Sequence, residues 1–194
     1  MKNRVITISR QFGSGGRTIG KEVAAKLGIP CYDHEVIEKI AEKSGFTKEY
    51  IDKRSEDVAR GSWLAGALFG RDYSGYSTQD YVWKFQRDTI LELAEKSPCV
   101  IVGRCADYIL KDEADCLTVF IHADMEKRAA RIVEQYGERP ESPQKRLKDK
   151  DKRRAAYYQF YTDTQWGVAE HYHVSLDSGV LGIEKCVEVL TSLF

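Results

Sequence analysis

Short apolar runs alternate with longer segments of helical periodicity along this chain of 194 residues, and this alternation restricts the fold more than any other feature. A strand that is apolar on both faces is typical of a parallel sheet that helices cover on both sides. The sequence therefore predicts an α/β fold with a five-stranded parallel sheet and helices on both faces. The five strand-like runs are residues 5–9, 29–32, 99–102, 116–121 and 173–176.

Helical periodicity fills the intervals between these runs. Ile19, Val23 and Leu27 are spaced four residues apart, so they share one face of a helix, and Gly28 is well placed to end it. Asp124 is a suitable N-cap for a later helix. These signals support the alternation of strands and helices.

Composition excludes several classes of protein. Hydrophobic residues make up 42% of the chain, enough for one compact domain. Thirty basic and thirty acidic residues give a formal net charge of zero, which argues against a broad basic surface for nucleic acid. The sequence has neither a membrane-spanning apolar run nor a signal peptide, and its five cysteines form no CxxC pair. We therefore expect a cytoplasmic protein without nucleic-acid or membrane partners, and leave a homo-oligomer open.

The turn between the first predicted strand and the following helix is rich in glycine. It runs from Phe12 to Thr18 with the sequence F-G-S-G-G-R-T. Three glycines in four residues let the backbone turn tightly and direct successive N–H groups toward one point, and the helix adds the positive end of its dipole. Because ligands of open α/β sheets bind at the carboxyl ends of strands, this turn is a candidate phosphate site; a plain turn is the alternative. The predicted phosphate-binding residues are Gly13, Ser14, Gly15, Gly16, Arg17 and Thr18.

A second distinctive segment, residues 138–154, is basic. Eight basic and four acidic residues give it a local charge of +4 in a neutral chain. Ser142 followed by proline is a good helix start, and Arg146, Lys150 and Arg154 then fall on one face of the helix. This face is either a solvated surface or one that binds anions.

A third segment, residues 60–78, is rich in glycine and aromatic residues and has no clear periodicity. It is either a partly ordered flap that contacts a partner or a poorly packed surface insert. Its composition is compatible with both.

Residues 5–28 resemble the opening of bacterial cytidylate kinases, which consists of a strand, D-G-P-S-G-S-G-K-G-T, a helix and then L-G. In a gapless alignment Gly16 takes the place of the lysine, and Arg17 takes the place of the glycine after it. A second frame pairs Gly16-Arg17-Thr18 with the G-K-[ST] of a P-loop, but it needs an insertion and a compensating deletion. In both frames Arg17 is the only cation of the loop core, so we hypothesise that its guanidinium partly replaces the lysine. The gapless matches are Gly13, Ser14, Gly15 and Thr18.

The whole chain resembles the cytidylate kinase-like group of P-loop nucleoside monophosphate kinases. Further blocks that carry the resemblance are residues 32–35 (Y-D-H-E), 86–87 (Q-R), 100–104 (V-I-V-G-R) and the basic segment ending at Arg154. The resemblance implies a three-layer P-loop NTPase-type fold in one domain, residues 1–194. Within it, residues 44–96 would form an acceptor-binding helical region and residues 138–165 a helical lid. The implied reaction moves the γ-phosphate of ATP, with Mg²⁺, to a small phosphorylated acceptor, with CMP or dCMP as first choice.

The resemblance also implies roles for single residues. Asp33 falls on an aspartate beside the acceptor pocket, although it is equally placed to cap the next helix. His34 replaces a serine that contacts the acceptor, and Lys39 replaces an arginine that binds its phosphate. The implied catalytic cations are Arg17, Arg104 and Arg154. The implied acceptor-binding residues are Asp33, His34, Lys39, Arg87, Arg104 and Asp151. The implied lid cations are Lys152, Arg153 and Arg154, and the implied Mg²⁺ ligands are Thr18 and Asp33.

Two other functions stay open at the level of sequence. Val102 and Cys105 stand where the family has the two acids of a D-G-R-D motif, and the loop lysine is missing. These substitutions favour a nucleotide-binding protein of kinase ancestry with weak or no catalysis. His34 and the unmatched residues 44–80 instead favour a kinase for a non-nucleotide acceptor.

Overall fold

Five parallel strands form one sheet, in the order β2-β3-β1-β4-β5, in a computed structural model that describes residues 4–51 and 77–194. The number of strands and their parallel arrangement are as predicted. The strands are β1 (Arg4–Arg10), β2 (Cys31–Tyr32), β3 (Cys99–Val102), β4 (Asp115–His122) and β5 (Val174–Asp177).

Helices follow the strands along the chain, as expected for a parallel sheet. Within the described residues, no helix combines the length and the apolar character that crossing a membrane requires. The helices are α1 (Gly16–Leu27), α2 (His34–Ser44), α3 (Thr78–Lys96), α4 (Ala106–Leu110), α5 (Met125–Tyr136), α6 (Pro143–Thr162), α7 (Ser178–Leu181) and α8 (Ile183–Ser192).

The side chains of β1 alternate between the two faces of the sheet, and this alternation accounts for the layers. Val5 packs with α2, α3 and α4 on one face, while Ile6 and Ile8 pack with α1 and α8 on the other. All three side chains are completely buried. The predicted arrangement of a sheet between two layers of helices is confirmed.

Several helix ends follow the local signals in the sequence. Gly28 adopts the left-handed conformation, with φ 67°, and ends α1 as predicted. The Asp124 carboxylate caps α5 by accepting hydrogen bonds from two N–H groups of the first turn. Ser142 caps α6 by accepting a hydrogen bond from the N–H of Lys145. The basic segment therefore begins its helix where expected.

Other boundaries differ from the predictions or lie outside the described residues. β1 is one residue longer at each end than the predicted run 5–9, because its pairing with β4 extends to Arg10. The segment 60–78 falls outside the described residues up to residue 76, so the region 44–96 is described only at its two ends. The predicted lid, residues 138–165, contains α6, whose Leu147 packs against Ile132 of α5.

Candidate functional site

The carboxyl ends of β1, β2 and β3 meet at one edge of the sheet. The glycine-rich turn follows β1, Asp33 follows β2, and Gly103 and Arg104 follow β3. The basic helix α6 contributes side chains to the same edge. Segments that are far apart in the sequence are therefore brought together where parallel α/β folds place their ligands.

The glycine-rich turn follows its path because glycine occupies its bends. Gly13 and Gly15 both have φ 81°, in the left-handed region. A Cβ atom on Gly13 would lie 2.9 Å from the carbonyl oxygen of Arg128, and one on Gly15 would collide with Ile183. Helix α1 begins immediately after the turn, and the first N–H groups of a helix have no acceptor within it. These donors and the helix dipole favour an anion at this position.

Two adjoining cavities open at this edge. The first, here named the loop cavity, has a volume of about 570 Å³ and is lined by the glycine-rich turn, α5 and α6. The second, named the strand-end cavity, has a volume of about 470 Å³ and is lined by Asp33, the segment after β3, and α6. Both volumes are typical of small-molecule sites. Six side chains line both cavities: Arg10, Arg17, His34, Lys150, Arg153 and Arg154.

Basic residues dominate both cavities. The loop cavity is lined by eight basic and two acidic residues, and the strand-end cavity by six basic residues and one acid, Asp33. Nine of the thirty basic residues of a chain with zero net charge therefore line one region, which favours a polyanionic ligand. Beyond the shared cations, the loop cavity includes Arg131, Arg139 and Arg146, and the strand-end cavity includes Arg104.

Asp33 is the acid that this basic cluster surrounds. Its carboxylate accepts a hydrogen bond from Arg17 Nε and lies 3.7 Å from Arg10 Nη2. Asp33 occupies the N-cap position of α2, but its side chain makes no capping hydrogen bond. Instead its own N–H donates to the Glu35 carboxylate, which lowers the pKa of Glu35. The Asp33 side chain therefore neutralises two arginines rather than capping the helix.

The cations are held together against their mutual repulsion. Burial and the neighbouring charge of Arg154 lower the pKa of Arg10 to about 9, although Asp33 opposes this shift. Arg10 stays protonated at neutral pH. Burial also lowers the pKa of Arg154, whereas Asp151 and Asp33 favour its charged form. An anion bound among these groups would relieve their repulsion.

Helix α6 is fastened to the glycine-rich turn by two of its side chains. Asp151 accepts hydrogen bonds from the N–H of Phe12, at 2.7 Å, and from Arg128 Nη1, at 2.6 Å. Arg154 Nη1 donates to the carbonyl oxygen of Arg10 at 2.8 Å, and its guanidinium lies 5.6 Å from the centre of the Phe12 ring. These contacts position the basic face of α6 beside both cavities.

The backbone after β3 is unusual. Gly103, Arg104 and Cys105 adopt consecutive left-handed conformations, with φ 76°, 59° and 54°, which is unfavourable for residues with side chains. Completely buried Gln86 donates from Nε2 to the carbonyl oxygen of Arg104 at 2.9 Å and accepts from the Tyr157 hydroxyl at 3.0 Å. Gln86 therefore connects α6 to the segment that carries Arg104 into the strand-end cavity.

Most of the predicted phosphate-binding residues line the loop cavity, and Ser14 is the exception. Its hydroxyl donates to the carbonyl oxygen of Gln11 at 2.9 Å, so it stabilises the turn from within. Thr18 lines the loop cavity, and its Oγ1 accepts a hydrogen bond from Arg131 Nη2 at 3.0 Å.

Only half of the predicted acceptor-binding residues line the strand-end cavity. Asp33, His34 and Arg104 line the strand-end cavity. Asp151 lies outside it and uses both carboxylate oxygens to anchor α6. Lys39 also lines neither cavity, and Arg87, likewise outside both, pairs at 3.4 Å with Glu113 on the surface. Of the predicted lid cations, Arg153 and Arg154 line both cavities, whereas Lys152 is exposed and outside them.

Several residues of the site are absent from the residues predicted from the sequence. Arg10 could be identified from the sequence as a candidate site residue, because it stands between a predicted strand and the glycine-rich turn. Arg131 could not be distinguished from the solvated face of an ordinary helix. The bridging role of Gln86 has no local signature, because the groups it connects are distant in sequence. Tyr158 lines the strand-end cavity and donates from its hydroxyl to buried Asp107 at 2.7 Å, and burial raises the pKa of Asp107.

The sequence is similar to known proteins over most of its length. The sequence model of the cytidylate kinase-like family matches residues 5–180. A protein named cytidylate kinase from Archaeoglobus fulgidus is 30% identical, over 95% of this chain and 91% of its own length.

Solved structures extend the comparison to the fold. An uncharacterised protein from Eubacterium ventriosum is 25% identical, with a TM-score of 0.72 over 98% of both chains. A shikimate kinase from Acinetobacter baumannii, solved with shikimate, is 17% identical, with a TM-score of 0.53 over all of this chain and 93% of its own. The architecture is therefore that of the P-loop kinases.

Proposed function

The chain belongs to the cytidylate kinase-like family, and we propose that it is an ATP-dependent kinase for a small phosphorylated acceptor, with CMP or dCMP as the preferred acceptors. The observation that carries this proposal is the pair of adjoining cavities that share a set of cations. Phosphoryl transfer requires two polyanions to meet in line while their charge is neutralised. Two basic cavities with common lining residues suit this requirement.

We place the ATP phosphates in the loop cavity. The glycine-rich turn and the start of α1 supply backbone donors there, while α5 and α6 supply arginines. The acceptor then occupies the strand-end cavity, where Arg104 would bind its phosphate and Asp33 and His34 would contact its polar groups. Tyr157, Tyr158 and Trp166 add aromatic surface suited to a base or a sugar. This placement sets the transferred phosphate beside the shared cations.

The cations have distinct proposed roles. Arg17 and Arg154 line both cavities, so we assign them to the transferred phosphate, and Arg104 to the acceptor side. Substrate phosphates would replace the carboxylate of Asp33 as partners of Arg17. Because the bond-making step needs little covalent help from the protein, positioning and neutralisation of charge would provide most of the catalysis.

Mg²⁺, which ATP-dependent kinases use, fits the site only as a metal shared with substrate. Among the described residues, no three acidic, histidine or cysteine side chains form a metal cluster. The candidate protein ligands are Thr18 Oγ1, which lines the loop cavity, and the Asp33 carboxylate, which lines the strand-end cavity. Mg²⁺ commonly takes one or two protein oxygens together with phosphates and water, which these two residues would satisfy. Bound there, it would neutralise phosphate charge.

A coupled assay of ADP release tests the proposal. ATP and Mg²⁺ are supplied with CMP, dCMP, UMP, AMP or GMP, and a reaction without acceptor serves as background. We expect CMP and dCMP to give the fastest acceptor-dependent release. The variant Arg104→Gln should lower kcat/KM for the acceptor by about tenfold or more, because a charge-assisted contact is lost. If no nucleoside monophosphate raises the rate above background, the assignment to these acceptors is wrong.

The variant Arg87→Gln provides a matched comparison. The family resemblance places Arg87 at the acceptor, whereas its side chain pairs with Glu113 outside both cavities. If it keeps that position during turnover, Arg87→Gln should leave kcat/KM nearly unchanged. A loss equal to that of Arg104→Gln would place Arg87 at the bound acceptor.

A second candidate function is a kinase for a non-nucleotide acceptor. The observation that favours it is the position of Lys39 and Arg87, both outside the strand-end cavity. The A. baumannii protein of the same fold is a shikimate kinase, so hydroxy acids and phosphorylated sugars belong in the acceptor panel. Turnover confined to these compounds would favour this candidate. Binding of ATP without turnover of any acceptor would instead indicate a nucleotide-binding protein with little catalysis, as Val102 and Cys105 suggest.

A further inference from the structure

Positions 10 and 16 are exchanged relative to the cytidylate kinase loop motif. In the gapless alignment with D-G-P-S-G-S-G-K-G-T, Arg10 takes the place of the first glycine, and Gly16 takes the place of the lysine. The cation has thus moved from the start of α1 to the end of β1, and a glycine has moved in the opposite direction.

Steric overlap makes the residue at position 16 depend on the residue at position 10. A Cβ atom on Gly16 would lie 2.5 Å from Cβ and 2.9 Å from Cγ of Arg10. A Cβ atom on Gly103 would collide with the Arg10 guanidinium. The Arg10 side chain therefore passes over Gly16 and reaches Gly103, through space that any side chain at either position would fill. A lysine at position 16 and an arginine at position 10 exclude each other in this conformation.

The guanidinium of Arg10 reaches the place where a phosphate-binding cation is needed. Arg10 lines both cavities, and its side chain is 20% exposed. Its Nη2 lies 3.7 Å from the Asp33 carboxylate, an anionic group that a phosphate would replace. Arg17, the cation of the loop core, is 39% exposed and donates from Nε to the same carboxylate. Arg10 is thus the more enclosed of the two arginines.

We propose that Arg10 supplies the phosphate-binding charge that lysine supplies in the related motif, and that Gly16 is glycine in order to admit the Arg10 side chain. This inference rests on the proposed function, because it assumes a polyphosphate in the loop cavity. It extends the hypothesis that Arg17 partly replaces the lysine, since it assigns the principal contact to a residue outside the loop core.

A cycle of variants tests the exchange through binding rather than turnover. The variants are Arg10→Gly, Gly16→Lys and the double variant that carries both, and calorimetry measures the binding of inorganic tripolyphosphate and of ATP. Arg10→Gly should weaken binding by about tenfold to a hundredfold, the loss expected for a charge-assisted hydrogen bond. Gly16→Lys alone should also weaken it, because its side chain collides with Arg10. The double variant should regain most of the affinity that Arg10→Gly loses.

Two controls separate a specific contact from damage to the fold. Arg10→Lys keeps a cation at the end of β1, so it should bind tripolyphosphate more tightly than Arg10→Gly does. Arg4→Gln changes a partly exposed arginine at the opposite end of the same strand and should bind like the wild type. Thermal unfolding without ligand reports whether each variant is folded.

The outcomes are distinguishable from failure of the proposed function. Wild-type affinity in Arg10→Gly, or a double variant no tighter than Arg10→Gly, overturns the role of Arg10. A wild-type protein that binds tripolyphosphate, loses that binding in Arg10→Gly and turns over no acceptor refutes the kinase proposal but supports the inference. A wild-type protein that binds neither tripolyphosphate nor ATP overturns both.

Discussion

Replacing Asp33 by asparagine changes the charge balance of the site while keeping the shape of the side chain. Asp33 is 7% exposed, pairs with Arg17 and Arg10, and favours the charged forms of Arg10 and Arg154. Asp33→Asn removes the acid and leaves the surrounding cations to repel one another. We expect it to destabilise the ligand-free protein and at the same time to strengthen its binding of polyanions.

The burial of Arg17 and Arg10 determines how much stability Asp33→Asn should lose. Breaking a fully buried ion pair costs about 3–5 kcal/mol, because the remaining charge is left unpaired. The side chains of Arg17 and Arg10 are 39% and 20% exposed, so water compensates for part of the loss and we expect about 1–3 kcal/mol. For a chain of this size, this corresponds to a fall of about 2–12 °C in melting temperature.

Thermal unfolding with and without tripolyphosphate, in the absence of Mg²⁺, measures both effects. The ligand-free Asp33→Asn protein should unfold at a lower temperature than the wild type, and tripolyphosphate should stabilise it more. Its affinity for tripolyphosphate should rise by about tenfold, equivalent to about 1.4 kcal/mol, because no carboxylate competes for the arginines. With Mg²⁺ and ATP the gain should shrink, since a metal ligand is also lost. An unchanged melting temperature, or weaker binding of tripolyphosphate, would refute this account of the cluster.

Three further predictions concern other parts of the site. Lys150→Gln should weaken ATP binding at low salt by about three- to tenfold and by less at 0.5 M salt, while Lys148→Gln, exposed on the same helix and outside both cavities, should not. Gln86→Leu removes the hydrogen bonds to the Arg104 carbonyl oxygen and from the Tyr157 hydroxyl, so it should lower kcat and destabilise the fold by about 1–3 kcal/mol, with ATP affinity unchanged. Asp107→Asn should raise the melting temperature at pH 7 and have no effect near pH 3.

The sign of the Asp107 effect follows from proton linkage. Burial raises the pKa of Asp107 in the folded state, so the folded protein binds its proton more tightly than the unfolded chain. The stability contributed by this tighter proton binding is fully present below the ordinary carboxyl pKa of about 4. It is lost as the pH rises through the higher pKa of the folded state. Asparagine does not titrate and can still accept the Tyr158 hydrogen bond. A melting difference that persists at pH 3 would contradict this explanation.

Separate observations would contradict the other two predictions. Equal losses of ATP affinity in Lys150→Gln and Lys148→Gln would show that only the net charge of α6 matters. For Gln86→Leu, a loss of ATP affinity equal to the loss of kcat would show that Gln86 affects the donor side. Its role in positioning the segment after β3 would then be wrong.

The fold could be predicted because its determinants are local. A run such as Val5–Ser9 is short and rich in β-branched residues, and it becomes the central strand whose alternate residues pack into two different cores. The signals at Gly28, Asp124 and Ser142 depend on a few neighbouring residues, so each helix end could be located from the sequence alone. The ends of a strand depend instead on its pairing with neighbouring strands, as the extension of β1 to Arg10 shows.

The site could be predicted only in part because most of its contacts are long-range. The glycine-rich turn is contiguous, and its conformation follows from glycine itself. Asp151 instead accepts a hydrogen bond from the N–H of Phe12, 139 residues away in the sequence. No sequence motif predicts that this carboxylate fastens α6 to the glycine-rich turn. The hydrogen bonds of Gln86 likewise join three separate segments. A resemblance to a family transfers residue positions, but it does not show which partner each side chain has in this chain.

The missing lysine shows why the residue type at a motif position is not the physical requirement of a phosphate site. The requirement is positive charge at one point in space, and a side chain can reach that point from more than one backbone position. Here β1 contributes Arg10, α1 contributes Arg17, the segment after β3 contributes Arg104, and α6 contributes Lys150 and Arg154. Because these side chains pack closely together, each cation restricts the residue types that neighbouring positions can hold. The informative perturbation is therefore the paired exchange of a cation and a glycine, because either single change disturbs both charge and packing.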